Sequence, residues 1–256
     1  MSDYWFQKRR AESSRVFSML DYNPNWWIDT SDPAGITPNG SKIAEYLDLS
    51  GNGAKMIQTN ASRQHDLIPN ARNGLAVART LTNDSFYQCV KDFITSISDT
   101  YFFVFKPNQA GFAQSTLLGQ YGDVGAKSLV FRSDSDGIGI FTRSTTGELQ
   151  IFPAFVDSYS LLVITRNSSG GNGTLTVDYN GVSGSDAGVY SDTTYDNKPG
   201  GGFPTLGAQP MSTGTGVLAS IFYEGDFCEG VRMPGVLNTP DIDIIKSHLK
   251  AKWATV

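Results

Sequence analysis

The chain has 256 residues, a net charge of −5 and only 18% charged residues. Its densest basic group is Lys8, Arg9, Arg10 and Arg15, too small a footprint for a protein that must displace counterions from nucleic acid. With 27 glycines and 12% aromatic residues, it suits short strands joined by tight turns and not a helical bundle or a disordered chain.

The first segment, MSDYWFQKRRAESSRVFSML, lacks the continuous apolar core of an export signal. No run of about 18 apolar residues appears, so no membrane-spanning helix is expected. Tyr4, Trp5 and Phe6 precede a charged stretch, and Val16, Phe17, Met19 and Leu20 follow at helical spacing. Residues 1–22 are therefore read as an N-terminal arm, helical between Phe6 and Leu20. Its aromatics either pack on the domain or dock onto another chain, with Tyr4, Trp5, Phe6 and Phe17 as the docking candidates. Residues 23–256 form the domain.

From Trp26 onward the period changes. Adjacent Trp26 and Trp27 alternate across a strand, so one faces the core and the other an edge, where it is a candidate for stacking on a sugar. Asp48-Leu49-Ser50-Gly51-Asn52-Gly53 is a turn whose Asp and Ser bond backbone amides; a calcium loop is the alternative, although EF-hand ligand positions are not matched. Thr100–Pro107 reads as a buried strand, because it is short, aromatic and ended by proline. Lys127–Ser133 and Asp136–Ser144 flank an Asp-Gly turn and form a hairpin. Tyr159–Arg166 and Thr174–Gly181 are two further strands joined by NSSGGNG. Gly181–Pro204 is read as a long surface loop, and Gly216–Gly225 as the last strand. Asn238–Trp253 is a helix. Asn238 or Thr239 caps it, Pro240 opens it, and Ile242, Ile245, Leu249 and Trp253 form one apolar stripe.

Three acids, Glu224, Asp226 and Glu229, raise the question of catalysis. Their E-x-D-x-x-E spacing occurs in the catalytic strand of some β-glucan and agar hydrolases. Glu224 and Asp226 share a strand face, whereas Glu229 faces the other side unless a bulge intervenes. Gly225 and Gly230 place the set where a strand ends and a loop begins, with acids that are solvated or bonded to turn amides. His65 and His248 are the only histidines, and Cys89 and Cys228 the only cysteines. They form no metal-ligand spacing, no nucleophile motif and no disulfide framework, and no cofactor is expected.

Four segments together resemble concanavalin A-like, laminin-G-like jelly-roll domains of the type found in phage virion proteins. They are WWIDTSDPAGITPNGSKIAEYLDLSGNG (Trp26–Gly53), QTNASRQHDLIPNARNGLAVAR (Gln58–Arg79), VDYNG (Val177–Gly181) and GVLNTPDIDIIKSHLKAKW, closing at Trp253. His65 and Ala76 stand where that family has Pro, and His248 where it has Tyr. The resemblance implies an all-β, concanavalin A-like jelly-roll β-sandwich with an N-terminal arm and a C-terminal helix over 239–253. It further implies a non-enzymatic structural component of a phage particle: a capsid decoration, neck or tail protein. Such a protein is assembled in the host cytoplasm and holds other virion proteins through its arm. The alternative is a carbohydrate-binding or receptor-binding adhesion module recognising a cell-surface glycan; a glycanase is the third reading.

Overall fold

The computed structural model describes residues 17–80, 84–91, 98–108, 114–120, 129–134, 137–142, 148–151, 158–169, 172–190, 204–210 and 217–255. Tyr4, Trp5 and Phe6, the predicted helix up to Val16 and the segment 191–203 lie outside these residues.

The first strands are β1 (Trp26–Asp29), β2 (Ile36–Asn39), β3 (Lys42–Tyr46), β4 (Met56–Ile57), β5 (Asp66–Arg72), β6 (Leu75–Thr80) and β7 (Tyr87–Cys89). The middle of the chain supplies β8 (Asp99–Pro107), β9 (Gln114–Gln120), β10 (Leu129–Asp134), β11 (Gly137–Thr142), β12 (Glu148–Ile151), β13 (Ser160–Ser169), β14 (Asn172–Tyr179) and β15 (Val182–Tyr190). The last are β16 (Thr205–Leu206), β17 (Ala208–Pro210), β18 (Val217–Phe222) and β19 (Gly225–Pro234), followed by helix α1 (Thr239–Trp253).

All the strand pairings among these residues are antiparallel. They resolve into two layers. In the front layer β19 pairs with β8 on one side and with β1 and β6 on the other; the layer continues through β13 and β14 to β15. The back layer runs β2-β3-β4-β7-β16-β9-β10-β11-β12. A bridge between Lys42 and Asp66 joins the layers at β3 and β5. The chain is thus an all-β jelly-roll sandwich with a C-terminal helix.

Period-2 alternation explains why β8 is buried on both faces. Tyr101, Phe103 and Phe105 point between the layers, with Trp26, Tyr46, Tyr87 and Phe227. Phe102 and Val104 point outward, where α1 covers them with Ile245, Leu249 and Trp253. The helix obeys its sequence signals: Asn238 caps it by accepting the Asp241 N–H at 2.9 Å, and Pro240 occupies the first turn. Burying Trp253 fully anchors it; truncation to Ala costs about 3–5 kcal/mol.

The predicted hairpins form. Asp134 pairs with Gly137 between β10 and β11, and Asn180 (φ 52°) with Gly181 (φ 88°) turns β14 into β15. Two expectations need correction. Val182–Tyr190 is a strand and not the start of a long loop: its Ser- and Gly-rich sequence pairs with β14 despite few core candidates. The last strand is β19, and it begins at Gly225, where a strand was expected to end. Gly225 has φ 142°, and a Cβ there would lie 2.2 Å from the Lys106 carbonyl oxygen, so glycine starts the pairing by allowing close approach. In the arm, a 3-10 turn over Met19–Tyr22 follows Phe17, and Met19 is buried under α1.

Candidate functional site: a charged row on the helix-bearing sheet

The three acids fall on or beside β19, the strand that organises the front layer. A bulge between Phe227 and Glu229 inserts Cys228, and Cys228 and Glu229 both turn toward α1. The parity objection to Glu229 therefore falls, yet the acids do not share one cleft. Glu224 precedes the strand, is half-buried, and its carbonyl accepts the Asn108 N–H at 3.0 Å. Asp226 and Glu229 are 4% and 1% exposed, so neither is the solvated turn acid expected. Each has its own donors.

Glu229 accepts the indole N–H of Trp27 at 2.9 Å, that of Trp253 at 2.7 Å and the Lys252 ammonium at 2.7 Å. Lys252 also reaches Asp29, whose other oxygen accepts the Ser31 N–H at 2.9 Å. Burial pushes the Glu229 carboxyl up from its ordinary value and Asp29 adds to this, against Lys252 and Trp253. Burial alone would lower Lys252, but Glu229 and Asp29 outweigh it and raise it. This group fastens the helix to β1 and β19. Trp27, the candidate for sugar stacking, is half-buried within it.

Asp226 sits in a row that crosses the front layer. In register, β5 supplies Asp66, β6 Arg79, β19 Asp226 and β8 Lys106; Tyr159 lies just before β13. Opposite charges face each other directly across the strands, which stabilises the sheet. Arg79 donates to both Asp226 oxygens, from Nε at 2.6 Å and Nη2 at 2.9 Å, and Tyr159 donates its hydroxyl to Asp226 at 2.6 Å. That hydrogen-bonded pairing holds the Arg79 guanidinium above its ordinary range. The Arg72 guanidinium and the Lys106 ammonium approach the Tyr159 ring at 4.7 and 5.9 Å. Arg72 in turn bonds the Trp253 carbonyl at 2.7 Å and that of Ala254, closing the C-terminus of α1. The row thus emerges beside the end of the helix.

The remaining candidates are structural in their contacts. Asp48 accepts the amides of Trp27, Ser50 and Ala54 at 3.0–3.1 Å, saturating the carboxylate proposed for calcium. Among the described residues no cluster of three or more metal-ligating side chains exists. Cys89 and Cys228 are free and buried. His65 is sealed in the core with Nδ1 2.7 Å from the Tyr46 hydroxyl, its Nε2 without a partner, and burial lowers its pKa to about 3. Phe17, the described docking candidate, stacks on His248 at 3.8 Å and on Tyr22 at 5.9 Å.

A second buried ionic group lies inside the sandwich. Asp99 receives Arg166 Nε at 2.6 Å, Arg232 Nε at 2.9 Å and the Tyr101 hydroxyl at 2.9 Å. The sequence reading missed both this group and the charged row, because their members lie up to 133 and 147 positions apart. A pairing of strands, not a motif, brings them together.

No family model matches the chain, and no curated protein matches it. Solved structures do match. Domain 4 of AbnA, an extracellular arabinanase of family 43 from Geobacillus stearothermophilus seen with arabinotriose, aligns with TM-score 0.62 at 12% identity over 87% of this chain and 98% of its own. A botulinum neurotoxin type C structure, whose cell entry is described as depending on two ganglioside molecules, aligns with TM-score 0.55 at 14% identity. The alignment covers 91% of this chain and 53% of the toxin chain. A family 54 α-L-arabinofuranosidase aligns with TM-score 0.52 at 12% identity over 93% of this chain and 61% of its own. At these identities the likeness establishes a shared lectin-like β-sandwich.

Proposed function

We propose that the chain is a glycan-binding module of the adhesion or receptor-binding kind, one that holds a sugar without cleaving it. One observation carries this reading: the solved structure that this chain matches nearly end to end is an accessory domain seen with a trisaccharide. The acids support it, since Asp226 and Glu229 are both buried and engaged by cations and indoles. A retaining glycosidase needs two carboxyls about 5–5.5 Å apart facing a sugar. A glycan array of the purified chain tests the proposal. Retention of at least one glycan family is expected; a blank array, with and without calcium, would overturn it.

A second reading, a structural component of a phage particle, draws on the phage-type sequence resemblance and on the N-terminal segment. That segment enters the domain at Phe17, directly on α1. Its partners would be other virion proteins. Removing residues 1–16 spares buried Met19 and is expected to abolish association with particles; full retention would contradict this reading.

A further inference from the structure

We propose that Arg79 and Lys106 form the recognition point for the carboxylate of an acidic sugar, and this proposal rests on the glycan-binding reading above. The two residues flank Asp226 in register, one on β6 and one on β8. Adjacent strands lie about 4.8 Å apart, so their backbones stand roughly 10 Å from each other across β19. Arg79 spends Nε and Nη2 on Asp226, and Nη1 has no acceptor among the described residues. Its side chain is 36% exposed while that of Asp226 is 5% exposed. A guanidinium held from below by a buried carboxylate presents its outer N–H groups in a fixed direction, which suits a planar carboxylate.

The charge of the row agrees. Arg72, Arg79 and Lys106 gather around one carboxylate, Asp226, and the neighbouring Asp66 is paired with Lys42 at 3.0 Å. The row is poorly suited to a neutral sugar. Neutral rings dock on open aromatic faces, and the ring in this row, Tyr159, is 8% exposed with two cations close to it. Specificity here comes from charge and not from stacking.

Isothermal titration of the whole chain tests this with matched pairs: 3′-sialyllactose against lactose, and trigalacturonate against its methyl ester. At least one acidic member is expected to bind about tenfold or more tightly than its neutral partner. Arg79→Gln and Lys106→Gln are each expected to lose about tenfold in affinity for it, and added salt to weaken it. Arg79→Gln strands Asp226 and risks misfolding, so Lys106→Gln, which leaves the Arg79–Asp226 pair intact, decides if that variant does not fold. Equal binding of acidic and neutral partners would overturn this inference and leave the glycan-binding reading standing. An acidic preference that both folded variants retain would overturn the placement of the site. A chain that binds none of the four probes and no glycan on the array would overturn inference and reading together.

Discussion

Trp253 donates its indole N–H to Glu229 at 2.7 Å, joining the last turn of the C-terminal helix to the middle of strand β19. Lys252 and Trp27 complete the coordination of that carboxylate. A buried charge with three donors fixes the helix in one position on the sheet.

Glu229→Ala leaves two indole donors and an ammonium buried without their acceptor. A loss of about 3–5 kcal/mol in urea unfolding is expected, the range for breaking a buried pair from one side. A loss under 1 kcal/mol would show that the helix is held by its apolar stripe alone.

Lys252→Met leaves Glu229 and Asp29 together without their cation. A carboxyl raised on folding favours the fold below its unfolded pKa and loses that contribution as pH rises through the folded one. Glu229 is raised already, by burial and by Asp29, and loses the opposing lysine in the variant. The deficit relative to wild type should therefore be larger at pH 8 than at pH 5. Melting temperatures at the two values check this; an equal deficit would contradict it.

His65 works in the opposite sense. Its folded pKa is lowered to about 3 by burial, so its contribution is complete above the ordinary value of 6.5 and disappears as pH falls toward 3. The shift corresponds to a loss on the order of 4 kcal/mol over that window. His65→Asn should flatten the acid limb of the stability curve between pH 6.5 and pH 4. Parallel curves for the two proteins would rule the explanation out.

Gly230 faces the core, and a Cβ there would lie 2.9 Å from the Trp26 ring and 3.1 Å from that of Phe227. Neither fully buried ring has room to retreat. Gly230→Ala is expected to cost about 1–3 kcal/mol by overpacking. Unchanged stability in denaturant would mean that the two rings repack freely.

The sequence was informative where local chemistry decides structure. Asn238, Pro240 and the stripe ending at Trp253 mark the helix, and Asn180-Gly181 marks a hairpin by its positive φ. It misled at β19. That strand is buried on both faces, so alternation is hidden; it carries Asp226, Glu229 and Arg232, which read as surface; and its bulge shifts the parity at Cys228. Glycines at 225 and 230 look like breakers, yet each serves a close approach, to a backbone carbonyl and to Trp26. The charged row was illegible for a different reason. Arg79, Lys106, Tyr159 and Asp226 come from four separate segments, and only strand order sets them side by side.

The central claim is that the chain binds a sugar through a surface whose buried acids are framework. Its most direct test is to incubate the protein for a day with a glycan it retains, then recover the ligand and weigh it by mass spectrometry. The account predicts a bound glycan recovered at its original mass. Shorter oligosaccharides that appear with wild type and vanish with Glu224→Gln, Asp226→Asn or Glu229→Gln would contradict it.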